Sequence, residues 1–230
     1  MITVIPCKTD SNGVAVKNLR ELGGYPLVVW SIAMAQLLKC PCFVFTDTEE
    51  TKEFLSWRYT SELNTFICEQ KGDKFIIEEA VKLFPLQAKE VIYLRPSTPL
   101  RNINLCKSAV AKFNAWSGLY TMRSMHKMTE PIGKMYFEAE DEHQFTVLPV
   151  EKNHDEANKC RQNMASSYHP NGMIDITQTH RLSEGLFLDP FQAFITEKTV
   201  DIDTEEDLEI ANWKVNKYGH PLLDYMRAVM

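Results

Sequence analysis

The chain has 230 residues, 44% of them hydrophobic and 24% charged, with a formal net charge of −6. That length can bury a substantial core in one domain spanning 1–230. The acidic balance argues against a nucleic-acid partner, whose phosphates need a basic face, and no apolar run is long enough for a membrane span.

The elements read in chain order as short apolar strands alternating with helices. Ile2–Ile5 is a strand that runs into a polar loop, and 27–38 is a helix apolar along its whole length. CFVFT at 42–46 is a second strand. Amphipathic helices follow at 49–59 and 75–83. VIYL at 91–94 is a third strand, and 103–113 a further helix. This alternation predicts an α/β fold, a mostly parallel sheet with helices on both faces. Residues 118–121 read as a strand. Residues of about 134–168 give weaker signals, read as a hairpin plus loop: an inserted subdomain, a lid or a dimer contact. Strands are expected at 173–177, 193–196 and 200–203, then a closing helix over 205–218. The N-terminus opens directly on a strand, with no basic leader and cleavage site, which predicts a cytoplasmic protein.

In an open α/β sheet, ligands sit beyond the carboxyl ends of the strands. The first such loop carries Pro6, Lys8, Ser11, Asn12 and Gly13, followed by Lys17, Asn18 and Arg20, against one acid, Asp10. Backbone N–H groups and lysines there suit a phosphate chain, although neither GxxxxGK[ST] nor GxGxxG is present. The loop after VIYL, RPSTPLR, offers Arg95, Ser97, Thr98 and Arg101 between two shape-fixing prolines. It reads as a binding loop or as a plain strand-to-helix turn.

In VDIDTEED at 200–207, Asp201 and Asp203 would share one face of a strand and could hold Mg²⁺, with substrate phosphates completing its shell. The residues that follow also read as a helix cap, either Asp203 with Glu206 or Thr204 with Asp207. Asn171-Gly172 reads as a turn. No pair of histidines has HExxH-like spacing, and they are taken as surface or loop residues. The six cysteines are scattered and read as free thiols, with Cys7 a small neutral residue in the basic loop.

Five segments together are similar to one family. IPCKTDSNGVAVKN at 5–18, GYPLVVWSI at 24–32, RPSTPLR at 95–101, NGMID at 171–175 and VDIDTEED occur in the order of the corresponding motifs of the cytidylyltransferases that activate acidic sugars, the CMP-N-acylneuraminate synthetase family. The resemblance covers nearly the whole chain. It implies a Rossmann-like domain with a small dimerisation insertion, here about 134–168, and a homodimer. It implies transfer of CMP from CTP to a 2-keto acidic sugar, with Mg²⁺ and release of pyrophosphate.

By position, Lys8 replaces the family loop's first arginine, Ser11 and Gly13 match, and Asn12 replaces a phosphate-contacting lysine. Lys17 and Asn18 match its K-N. Pro6, Lys8, Ser11, Asn12, Gly13, Lys17 and Asn18 are thereby implied as nucleotide-binding. Arg95 replaces a sugar-holding glutamine, and Arg95, Ser97, Thr98, Arg101 and Asn171 are implied on the substrate side. Lys17, Asp201 and Asp203 are implied in catalysis, the two aspartates as the metal pair. Asp175 stands where the family often has tyrosine. The sugar could be sialate-, legionaminate- or octulosonate-like. The other readings are a nucleotidyltransferase for another NTP or sugar, and a non-catalytic nucleotide- or sugar-binding protein.

Overall fold

A computed structural model describes residues 1–9, 14–59, 64–69, 72–116, 120–139, 146–188 and 191–230. The first half alternates β1 (Ile2–Cys7), a small ribbon β2 (Glu21–Leu22) and β3 (Tyr25–Pro26), α1 (Leu27–Leu37), β4 (Cys42–Thr46), α2 (Glu49–Arg58), β5 (Asn64–Ile67), α3 (Asp73–Leu83), β6 (Glu90–Tyr93) and α4 (Ile103–Ala115). The second half adds β7 (Thr121–Lys127), β8 (Tyr136–Ala139), β9 (Thr146–Pro149), α5 (His154–Ala157), β10 (Tyr168–Gln178), β11 (Gln192–Ile195), α6 (Glu205–Tyr218) and α7 (Pro221–Val229).

Seven strands form one sheet in the order β11-β7-β10-β6-β1-β4-β5. β1 pairs in parallel with β4 and β6, β4 with β5, and β7 with β11; β10 runs antiparallel to both β6 and β7. This is the expected mostly parallel, Rossmann-like α/β fold. Because β10 alone is reversed, its beginning lies where β7 ends, with Tyr168 opposite Lys127 and His169 opposite His126.

Side-chain alternation divides the core between the two faces. Ile2, Val4, Phe43, Phe45, Val91 and Tyr93 pack with Ile76, Ile77 and Ala80 of α3. The opposite faces of the strands pack with α1, α4, α6 and α7. α1 is buried continuously from Leu27 to Ala35, which explains its lack of a polar stripe: α7 covers the side that the sheet leaves open.

Several expectations shift. The strand expected at 118–121 begins at Thr121 and runs to Lys127; 117–119 lie outside the described residues. Residues 200–203 are extended but join no ladder. Ile202 is buried between exposed Asp201 and Asp203, so the alternation is present, yet its N–H bonds to Ser97 C=O at 2.8 Å rather than to a strand. The segment is held by the loop that follows β6. β8 and β9 form the antiparallel hairpin expected in 134–168. β5 and α7 were not foreseen.

Candidate functional site at the carboxyl ends of the strands

β1 delivers Lys8 and Thr9 to the sheet's carboxyl edge, with Pro6 still paired opposite Phe45 in the ladder. Asp47, directly after β4, accepts the Thr9 N–H at 2.9 and 3.1 Å and the Thr9 hydroxyl at 3.1 Å. Asn18 Nδ2 donates to Lys8 C=O at 2.8 Å, so Asn18 fastens the loop's two ends. The Lys8 ammonium donates to Cys68 C=O, on the β5 side. Expected phosphate contacts at Ser11, Asn12 and Gly13 lie outside the described residues. Cys7 is fully buried, and burial pushes its thiol up to about 12, which removes it as a nucleophile at neutral pH.

Past that loop the chain turns through Val16 in the left-handed region (φ 49°, ψ 38°), a strained conformation for a β-branched residue. The turn presents Lys17, whose Nζ meets Asp203 Oδ1 at 2.8 Å. The lysine side chain is 14% exposed and the aspartate 69%. Arg20 makes a two-pronged pair with Glu205 at 2.5 and 2.8 Å. Exposed pairs of this kind contribute only about 0–1 kcal/mol; their interest is that they join the chain's first and last thirds. Of the two cap alternatives, Thr204 with Asp207 is the one formed, a reciprocal capping box on α6. The Asp203 N–H donates to the Asp207 carboxylate at 3.1 Å, while the Asp201 and Asp203 carboxylates take no part in the cap.

The RPSTPLR loop splits into different roles. Thr98 is buried and its Oγ1 donates to Asp201 at 3.4 Å. Ser97 contributes its carbonyl to Ile202. Arg101 corrects the expectation of a ligand contact: it is fully buried and bonds Met173 C=O (2.8 Å), Ser31 Oγ (3.1 Å), Arg95 C=O (2.6 Å) and Gly172 C=O (3.4 Å). Burial lowers its pKa to about 10, so it remains charged at neutral pH. It is a buried cation solvated by carbonyls, clamping the loop onto α1 and β10.

Arg95 is 24% exposed and pairs with Asp175 at 2.5 Å and Asp73 at 2.7 Å. Burial opposes its charge, but Asp175 and Asp73 outweigh burial and hold its pKa above the ordinary arginine value. Arg123 also reaches Asp175, at 3.4 Å, and lies over the Phe187 ring. Two residues that depart from the family pattern, Arg95 and Asp175, are therefore each other's partners. Asn171 is nearly buried, tied through Nδ2 to Thr196 Oγ1 (2.7 Å) and Glu197 C=O (3.2 Å).

An open groove of about 670 Å³ gathers Asn171, Asp201 and Asp203 with His126, His169 and Lys198. Among the described residues no three His, Cys, Asp or Glu side chains are grouped to hold a metal. Two accessible carboxylates in one groove still fit Mg²⁺, which takes one or two protein carboxylates and completes its shell from substrate phosphates and water. They do not fit a structural zinc site, which needs four protein ligands.

Sequence reasoning passed over the histidines. His126 and His169 are 43 positions apart and meet only through the β7–β10 register, their rings 5.7 Å apart. Burial, then His169, then Lys198 lower the His126 pKa below its ordinary value. No local spacing signals such a pair.

The sequence profile of the cytidylyltransferase family matches residues 2–171. No curated protein matches the chain significantly in sequence. Many solved structures share the fold, among them the following three. A CMP:2-keto-3-deoxy-manno-octonic acid synthetase complexed with CTP matches with TM-score 0.70 at 14% identity, over 94% of this chain and 98% of that one. A putative glucose-1-phosphate thymidylyltransferase from Bacillus anthracis, in complex with a sucrose, matches with TM-score 0.65 at 10% identity, over 97% and 98%. A 4-diphosphocytidyl-2C-methyl-D-erythritol synthase from Anaerococcus prevotii matches with TM-score 0.61 at 13% identity, over 94% and 96%. At these identities the likeness establishes the fold.

Proposed function

The chain belongs to the cytidylyltransferase family, and from that premise we propose that it transfers CMP from CTP to a 2-keto acidic sugar, releasing pyrophosphate. The observation that carries the proposal is the Lys17–Asp203 pair. It joins the exit of the basic loop to the VDID segment, at one end of a groove that Asp201 also lines. The ordered motifs and the fold shared with a synthetase for a 2-keto acidic sugar point the same way.

In this reading the anomeric hydroxyl of the sugar attacks the α-phosphorus of CTP. The new P–O bond forms as the bond to the β-phosphate oxygen breaks, pyrophosphate leaves with the electron pair, and the hydroxyl proton passes to solvent. Such a transfer needs positioning and charge neutralisation more than covalent help. Lys17 supplies one positive charge beside the reacting phosphates. Lys8, Ser11, Asn12 and Gly13, with Pro6 and Asn18 shaping the loop, cradle the nucleotide. Asp201 and Asp203 would hold Mg²⁺, which neutralises phosphate charge when bound. Thr98 orients Asp201, Ser97 fastens the Asp-bearing segment, and Asn171 and Arg95 border the sugar side. The β8–β9 hairpin, with Tyr136, Phe137, Val147 and Leu148 exposed, would serve as the contact of a homodimer, and the reaction would run in the cytoplasm.

The test is pyrophosphate release with CTP, Mg²⁺ and a panel of sialate-, legionaminate- and octulosonate-type acids. Turnover of one or more of them with CTP, and not with ATP, GTP or UTP, is the expected result. Failure with every acid would refute it.

A further inference from the structure

The excursion that carries the β8–β9 hairpin leaves the sheet at the end of β7 and returns at the start of β10. Two histidines meet at its neck. His126 is paired directly opposite His169 in the antiparallel ladder, so both side chains leave the same face of the sheet, with Cβ atoms about 5 Å apart. Their ring centres are 5.7 Å apart. With metal–nitrogen bonds of about 2.0–2.1 Å, two imidazoles on one ion have ring centres roughly 5–6 Å apart, so the pair stands at chelating distance. His126 Nδ1 is buried and meets no hydrogen-bond partner among the described residues, an arrangement that native structures seldom leave without a ligand or water to satisfy it. Because burial, His169 and Lys198 keep His126 neutral at pH 7, its ring retains the lone pair that a metal needs.

The surroundings favour a cation, and a cation of one kind. Both histidines line the groove, where Asp201, Asp203 and Asp207 stand against Lys198 and Lys214, three carboxylates to two ammonium groups. Imidazole nitrogens suit Zn²⁺, Ni²⁺ and Cu²⁺, whereas Mg²⁺ takes oxygen ligands, so the histidine pair and the aspartate pair would select different ions. We propose that His126 and His169 chelate one transition-metal ion of the Zn²⁺, Ni²⁺ and Cu²⁺ class, with water filling its remaining positions. Such an ion fastens the end of β7 to the start of β10 and holds the hairpin excursion at its root. Its binding is independent of the transfer reaction proposed above.

Titration calorimetry and thermal unfolding with Ni²⁺ and Zn²⁺ test it. The protein is untagged and carries Cys160→Ser, because Cys160 is an exposed thiol that would itself take these ions. The expected result is one ion per chain and a raised Tm, with Mg²⁺ failing to displace the ion. His126→Phe and His169→Gln should each weaken binding about tenfold or more, since each removes one of the two protein bonds to the ion. His169 is exposed, so His169→Gln should keep its metal-free Tm within about 2 °C and separates loss of a ligand from loss of the fold. Asp201→Asn/Asp203→Asn should keep the affinity within about threefold, because these carboxylates act on the ion only through solvent-screened charge. Absence of binding in the protein with both histidines overturns the proposal. So does binding that survives both histidine changes, which would assign the ion to the remaining thiols. An equal loss in the aspartate double variant also overturns it, by assigning the ion to the acidic pair.

Discussion

At Gly172 the backbone has φ +66°, and a Cβ built there would lie 2.6 Å from Thr98 Oγ1. Gly172→Ala therefore has two costs. A left-handed non-glycine residue costs about 1–2 kcal/mol, and displacing a buried neighbour adds about 1–2 kcal/mol more. Thr98 is fully buried and cannot simply swing into solvent. The sum, about 2–4 kcal/mol, corresponds to a fall in Tm of roughly 5–15 °C for a domain of this size. Because Thr98 Oγ1 also bonds Asp201, the variant should lose activity along with stability. Thr98→Ala removes the colliding atom, leaving the next contacts at ordinary distances. The double variant should then be about 1 kcal/mol or more better than the sum of the single changes. Thermal or urea unfolding of all four proteins measures this. A Gly172→Ala protein within 1 °C of wild type, or strict additivity in the double variant, would refute the reasoning.

Arg101→Met should lower stability by about 3 kcal/mol or more, since it leaves carbonyls of Met173 and Arg95 and the Ser31 hydroxyl without their donor in the core; urea unfolding checks it, and Arg101→Lys should rescue little because one ammonium cannot span that fork. Lys17→Met and Asp203→Asn should each leave Tm within about 2 °C, because their pair is solvent-reaching, yet lower kcat/KM for CTP by about a hundredfold; Asp201→Asn should raise the Mg²⁺ requirement in the same assay. His220 caps α7 by accepting the Leu222 N–H at 3.2 Å, and burial lowers its pKa to about 4 against the opposing pull of Asp224. It is neutral when folded, while the unfolded chain takes up its proton below about 6.5. Its stabilising contribution is thus complete above pH 6.5 and is lost as pH falls towards 4, at most about 3 kcal/mol. His220→Asn, which keeps a capping acceptor, should flatten the difference between unfolding at pH 7 and pH 4.5; identical slopes in both proteins would contradict this.

Much of the fold was legible because its signals are local. The apolar runs CFVFT and VIYL mark the central strands β4 and β6, and the 205–218 helix is announced by its own capping box. β5 was missed because NTFI is short and half polar, and it is a strand only because β4 offers it an edge. The VDID segment reads as a strand from alternation alone. Alternation reports which side is buried, whereas a ladder needs a partner edge, and the segment meets a loop carbonyl instead.

The candidate site divides along the same line. Residue types and spacing by themselves determined the basic loop, the RPSTPLR turn and the acidic pair, because each is carried within a few adjacent residues. Only the tertiary structure decided what each side chain does. It buried Arg101 among carbonyls, turned Arg95 onto Asp175, and brought Lys17 to Asp203 across 186 positions. It also set His126 against His169 through strand register. The physical reason is that charge and burial act through space: a side chain's role is fixed by which distant groups share its low-dielectric surroundings, and a single sequence does not contain that proximity in any local pattern.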